Sequence, residues 1–385
     1  MNGIWYYIIA FIVIWIVALI FKKPLTKAGV EITPPMLMWK TTRLRTTIDK
    51  IANKSPRFWK GYMNVGIVVS FIAMVVMSYL LIDSLLTIKT APSVSLVIPG
   101  VEIPGSPITV PLGYGLIALA TVLIVHEFSH GILARVEKIS IKSIGLMLLT
   151  ILPGAFVEPD DEEIGKISKL GRMRIYAAGS VANMSLALVS LGIIFLISNL
   201  VFPSVFYADG MDVKAVIPNA PADHILKTGM TLKSVDGKII TDTKSYNNAF
   251  SELKPNQNIL IITDKGEYYL TTSENPQNTS KGYVGVSTSP HYEVKKEVSN
   301  IFGGSIPWII FNFYDLFNWI FILNLGIGLF NLLPIRILDG GALFKDLLTF
   351  KFSERIVNPL LNATTLVFVA IIVFSIVYGL FKSVV

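Results

Sequence analysis

The chain contains no cysteine, which excludes disulfides, thiolate metal sites and cysteine nucleophiles in one step. Any metal must be held by His, Asp or Glu, and histidine is itself scarce, with four in 385 residues. Charge is sparse too: Asp, Glu, Lys and Arg make up 15% of the chain against 52% hydrophobic residues, and the mean hydropathy is +0.62. A soluble domain carries about 25% charge, so this composition describes a protein that crosses a membrane several times. The net charge of +7 does not argue for nucleic acid. Most of the excess sits in one loop beside apolar stretches, where membrane lipids are the natural partner.

Six stretches lack charge for about the length needed to cross roughly 30 Å of hydrocarbon. They run near 4–21, 62–82, 106–133, 175–200, 316–335 and 356–380. The first has no basic n-region and no small-residue cleavage site, so it reads as a retained anchor. The loop from Lys22 to Lys60 carries ten Lys/Arg against two acids, which places it in the cytoplasm and the N-terminus outside. Lys166, Lys169, Arg172 and Arg174, then Lys345, Lys351 and Arg355, fall on the same side when the spans are followed along the chain. The basic loop is read as setting this topology.

Between the fourth and fifth stretches, residues 208–292 have near-balanced charge and short alternating runs such as NILIITDKGEYYLTT. They predict a β-rich domain outside the membrane. The line VKAVIPNAPADHILKTGMTLKSVDGKII resembles a PDZ domain: a strand, a Pro-Ala bend, a short helix, Gly229, then a strand reaching a tight turn at Asp236-Gly237. No carboxylate-binding loop stands out. Residues 141–158 are apolar but too short to span, with Pro153 and Gly154 inside, and predict a re-entrant or interfacial element. Residues 301–314, with Trp308, read as an interfacial lead-in to the fifth span.

The chemistry lies in ATVLIVHEFSHGILARV, residues 119–135. Ionisable side chains inside a span are expensive and usually functional. His126 and His130 are four apart, so their rings share one helix face and can bind one ion. Glu127 beside them completes the HExxH arrangement, in which the histidines hold zinc and the glutamate is a general base. The bland alternative is a buried polar patch bonding neighbouring helices. A catalytic zinc takes three protein ligands, and His224 and His291 lie in the outer domain, so an acid from another span is required. Asp339 in FNLLPIRILDGGALF is a candidate, with Glu158 and Asp315 as competitors.

HEFSHG at 126–131 together with NLLPIRILDGG at 331–341 resembles the site-2 proteases, intramembrane zinc metalloproteases, and the intervening domain resembles their PDZ-containing branch. The resemblance covers about 110–350. It implies a mainly α membrane fold of about six transmembrane helices, with a re-entrant membrane β element and an inserted extracytoplasmic PDZ-like domain. The chain would divide into 1–105, a two-helix region with the basic loop; 106–207, the first part of the catalytic core; 208–292, the PDZ-like domain; and 293–385, the second part of the core. By the same resemblance one Zn2+ is bound by His126, His130 and Asp339, Glu127 is the base, and Asn183 and Asn331 approach substrate or oxyanion. Gly179 and Asn183 match the family pattern, while Ser180 replaces a frequent proline. ILPGAFV at 151–157, with Gly154 and Phe156, matches a loop whose edge could pair with an unwound substrate. The expected substrate is a single-pass membrane protein, cut within or near its transmembrane segment in the cell membrane, on the cytoplasmic side. A non-proteolytic membrane metal-binding or transport protein and a silent scaffold are the alternatives.

Overall fold

The structure is a computed structural model and describes residues 4–41, 44–87, 97–103, 106, 108–149 and 152–382. The chain forms two compact units, one of residues 1–194 with 313–385 and the other of residues 195–312.

In the first unit the charge-poor stretches become helices, as expected where every backbone group must be bonded internally. Among the described residues, five helices are long and apolar enough to cross a membrane. They contain α4 (Pro56–Thr87), α5 (Leu112–Val136), α7 (Lys169–Leu196), α11 (Ile309–Phe330) and α13 (Glu354–Lys382). The first stretch forms α1 (Ile4–Ile20), whose 17 residues reach about 26 Å, a little short of a bilayer core. The fifth helix is shifted from the expected 316–335: it ends at Phe330, where the chain turns irregular through Leu338 and then starts α12 (Asp339–Leu348).

The basic loop is more than a topology signal. After α2 (Lys22–Lys27) it folds into β1 (Val30–Thr33), β2 (Met36–Thr41) and α3 (Arg45–Lys54). The membrane element expected at 141–158 is a hairpin of β3 (Ile141–Leu149) and β4 (Leu152–Pro159), with 150 and 151 outside the described residues. β2 pairs antiparallel with β3, Met36 opposite Leu149 through Thr41 opposite Ile144, giving a sheet ordered β1-β2-β3-β4. Gly145 permits this pairing, because a Cβ there would stand 2.2 Å from the Trp39 carbonyl. Ile48 and Ala52 of α3 are fully buried in one core with Leu133 and Ala134 of α5, Ile144, Val157 and Ala177 of α7. Each large apolar side chain so buried contributes about 2 kcal/mol.

Past β4, Asp160 caps α6 (Asp161–Lys166) by accepting the backbone N–H of Glu162 and Glu163. Glu137 gathers Lys60 and Arg174 at 3.2 and 2.9 Å, and Arg172 makes a two-pronged pair with Asp346, both contacts at 2.9 Å.

The second unit extends beyond 208–292 at both ends. It holds α8 (Phe202–Val205), β5 (Phe206–Val216), β6 (Thr231–Val235), β7 (Lys238–Ile239), α9 (Thr243–Ser251), β8 (Asn258–Thr263), β9 (Gly266–Thr271), β10 (Ser273–Asn275), β11 (Asn278–Tyr283), β12 (Val286–Val294) and α10 (Lys296–Phe302). The main sheet is ordered β12-β5-β6-β8-β9, with β7 on β6. The Asp236-Gly237 turn has φ of 49° and 75°, as a two-residue hairpin requires. The short helix expected after Pro221 is only a set of turns, since His224 takes φ 63° and leaves the helical region. Between β7 and β8 the unit has the nine-residue helix α9, opened by a reciprocal cap between Asp242 and Ser245.

Candidate active site

On α5 the His126 and His130 rings lie 4.8 Å apart, centroid to centroid, on one face. Asp339 comes from the first residue of α12, beyond the irregular 331–338 segment. That segment closes when the Gly340 N–H donates to the Asn331 carbonyl at 2.8 Å. Gly340 and Gly341 make the closure possible, since Cβ atoms there would fall 2.2 Å from the Leu332 carbonyl and 2.1 Å from that of Ile335. The Asp339 Oδ2 atom then stands 3.2 Å from His126 Nε2 and 3.4 Å from His130 Nε2.

These three residues could hold a metal ion. Ligands about 2.0–2.1 Å from a tetrahedral ion lie roughly 3.3 Å from one another, close to the two nitrogen–oxygen separations, and all three ligand atoms lie within 4.8 Å of one another. Glu158 and Asp315 stay outside this group. Glu158 is exposed and accepts from the Ser143 hydroxyl on β3. Of the other histidines, His224 is 93% exposed and His291 bonds Asp212 at 2.8 Å, both in the second unit.

The site is backed by α7. His130 Nδ1 lies 2.7 Å from the Ile175 carbonyl, an acceptor that fixes the proton on Nδ1 and turns Nε2 to the site. Gly179 lies under both rings, where a Cβ would be 2.5 Å from His130 Nε2 and 2.6 Å from His126 Nε2. Asn183 is fully buried, its amide 3.3 Å from His126 Nδ1 by the nitrogen, while its Oδ1 has no partner among the described residues. Exchanging the two amide positions lets Oδ1 accept the Nδ1 proton that a metal-facing Nε2 requires. Asn183 thus sits behind His126. Asn331 instead lines the open cleft of about 450 Å³ that also exposes His126, Glu127, His130 and Asp339.

Glu127 Oε2 accepts the Val157 N–H of β4 at 3.1 Å. Because that N–H leaves the sheet, alternation along the strand turns the backbone groups of Gly154 and Phe156 toward β3 and those of Ala155 outward. Within the expected 151–157 edge, the outward backbone groups are therefore those of Ala155 and Val157, with Gly154 and Phe156 between them turned to β3. Gly154 lies opposite Met147 and Phe156 opposite Gly145. Sequence reasoning also missed the Ile175 carbonyl, which no residue type advertises.

Two histidines one helical turn apart, a third acidic donor and an adjacent glutamate form the donor set of a metallopeptidase. The chain belongs to peptidase family M50, whose model matches residues 114–375. It is similar to an uncharacterized protein of Methanocaldococcus jannaschii, 27% identical over 275 residues, covering 69% of this chain and 68% of the relative. It is also similar to a protein of Arabidopsis thaliana named as a membrane-bound transcription factor site-2 protease homolog, 25% identical over 126 residues, 33% of this chain and 25% of the relative. Among solved structures, the PDZ domain of an SdrC-like protein from Listeria monocytogenes is 18% identical, with 21% of this chain and 87% of that one covered at a TM-score of 0.19.

Proposed function

We propose that this membrane peptidase is a zinc endopeptidase that cuts peptide bonds within or beside the transmembrane segment of single-pass membrane proteins. The observation that carries the reading is the convergence of His126 Nε2, His130 Nε2 and Asp339 Oδ2 within 4.8 Å of one another, with Glu127 on the same cleft. Zinc held there would supply Lewis acidity toward the scissile carbonyl and toward a water. Glu127 takes the proton of the attacking water and passes it to the leaving amine. Its Oε2 is held by Val157, which fixes the carboxylate while the other oxygen handles the proton. In this reading Asn331, on the cleft wall, steadies the carbonyl oxygen, and Asn183 steadies His126.

A helical substrate hides its peptide bonds, and unwinding it in lipid costs several kcal/mol for each polar group left unpaired. The outward backbone of Ala155 and the carbonyl of Val157 on β4 offer partners by strand addition. The charge bias of the loops supports a site opening to the cytoplasm, with the N-terminus and the PDZ-like unit outside. There the PDZ-like unit would filter substrates by size or by their trimmed ends. Deletion of 208–292 should then widen the substrate range, and an unchanged range and rate would end the filter idea.

The deciding experiment uses purified protein and a membrane-tethered substrate. Wild type should hold about one zinc per chain and cleave, and Glu127→Gln should keep the zinc and lose cleavage. Full cleavage by that variant removes Glu127 from the chemistry. Zinc content unchanged in Asp339→Ala removes Asp339 from the ligand set.

A further inference from the structure

Each of the three metal-facing side chains has a second partner on α7. His130 meets the Ile175 carbonyl and His126 meets Asn183. The third partner is Ser180, whose hydroxyl donates to Asp339 Oδ2 at 3.4 Å, the oxygen that faces both histidines. Ser180 is fully buried and cannot withdraw. α11 crosses it so closely at Gly328 that a Cβ there would lie 3.2 Å from the Ser180 carbonyl and 3.1 Å from Asn183 Cβ.

Asp339 needs such a partner more than the histidines do. They stand inside a regular helix, whereas Asp339 is the first residue of α12 behind eight residues of irregular chain. Its carboxylate can turn about two side-chain bonds, and only one orientation aims Oδ2 at the Nε2 pair. The buried Ser180 hydroxyl is 3.4 Å from Oδ2 in that orientation.

We infer that Ser180 is a positioning residue for the metal centre: its hydroxyl orients Asp339 and thereby sets metal affinity and coordination geometry. The inference rests on the proposed metal reading of the site. Partners of this kind typically account for 10–100-fold in affinity. Alanine at 180 removes one oxygen from a helix it otherwise favours, and threonine keeps the hydroxyl.

The test strips the full-length protein of metal in detergent and measures Zn2+ affinity by chelator competition. The visible spectrum of the Co2+ form and the melting temperature of the stripped form are recorded alongside. Ser180→Ala should bind zinc 10–100-fold more weakly, with a changed Co2+ spectrum and a stripped-form melting temperature like that of wild type. Ser180→Thr should stay within about threefold of wild type, since it keeps the hydroxyl that bonds the Asp339 carboxylate. Equal affinity in wild type and Ser180→Ala overturns the inference, and so does equal weakening in both variants. A joint fall in melting temperature and affinity in Ser180→Ala assigns Ser180 to packing and also overturns it. Wild type that binds no zinc defeats the metal reading itself, a result distinct from the others.

Discussion

Gly179→Ala tests the geometry of the site most directly. The added Cβ would lie 2.5 Å from His130 Nε2 and 2.6 Å from His126 Nε2 and Cε1, where ordinary contact begins at about 3.5 Å. Each ring edge must therefore retreat by nearly 1 Å, several times the roughly 0.2 Å tolerance of a metal–ligand bond. His130 cannot retreat without stretching its 2.7 Å bond to the Ile175 carbonyl. Overpacking costs about 1–3 kcal/mol, and alanine for glycine in a helix returns about 1 kcal/mol. The metal-free protein should thus remain folded with a net loss of about 2 kcal/mol or less. Bound zinc, by contrast, should drop well below one per chain, measured by elemental analysis beside a circular dichroism spectrum that shows intact helix. Gly192→Ala on the same helix is the control: nothing lies within 4 Å of its Cβ position, so zinc should be unchanged. Wild-type zinc affinity in Gly179→Ala would refute the placement of the two rings against α7.

Three further outcomes follow from other parts of the chain. Arg172→Leu leaves Asp346, 8% exposed, without its partner and should cost about 3–5 kcal/mol; thermal melting should show the loss, and adding Asp346→Leu should recover part of it. Gly145→Ala pushes a methyl into the Trp39 carbonyl, so protease cleavage within 30–41 should accelerate as β2 leaves β3, and cleavage at the wild-type rate would contradict that pairing. In the second unit, Asp264 is held below the usual carboxylate range by the Thr231 backbone N–H and then Lys265, and Asp242 by the Ser245 backbone N–H and side chain. Carboxyls depressed on folding stabilise above their unfolded value and lose that contribution as pH falls through the folded one. Melting temperature should therefore decline below about pH 4, and the decline should be shallower in Asp264→Asn and Asp242→Asn.

The ligand residues were legible because their signal is local. A spacing of four in an apolar helix aligns His126 with His130; loop charge brings Asp339 only to a comparable depth, and the resemblance of NLLPIRILDGG sets it ahead of Glu158 and Asp315. The pieces that were not legible depend on pairing over long distances or on backbone direction. VEITPPMLMWKT carries a usable strand-turn-strand signal at 30–41, but its positive flanks read equally well as a topology marker. Nothing in that stretch names Leu146 as the partner of Trp39. Strand polarity decides which residues of the 151–157 edge turn their backbone outward, and residue type alone does not separate Ala155 and Val157 from Gly154 and Phe156. Asn183 and Asn331 look alike in sequence. Helix packing puts one behind a histidine and the other on the cleft wall.

The pairing of β2 with β3 also sets a timetable for biogenesis. Met36 and Leu149 are partners in that ladder and stand 113 positions apart (149 − 36), with two membrane-spanning helices, α4 and α5, between them. At about 5–20 residues per second of synthesis, β2 waits some 5–20 seconds with its edge unsatisfied before β3 emerges. α3 likewise has no α5 to pack on until the second of those helices has been inserted. Residues 30–54 therefore wait for partners that emerge later in the chain, and a chaperone or the insertion machinery has a defined interval in which to shield them.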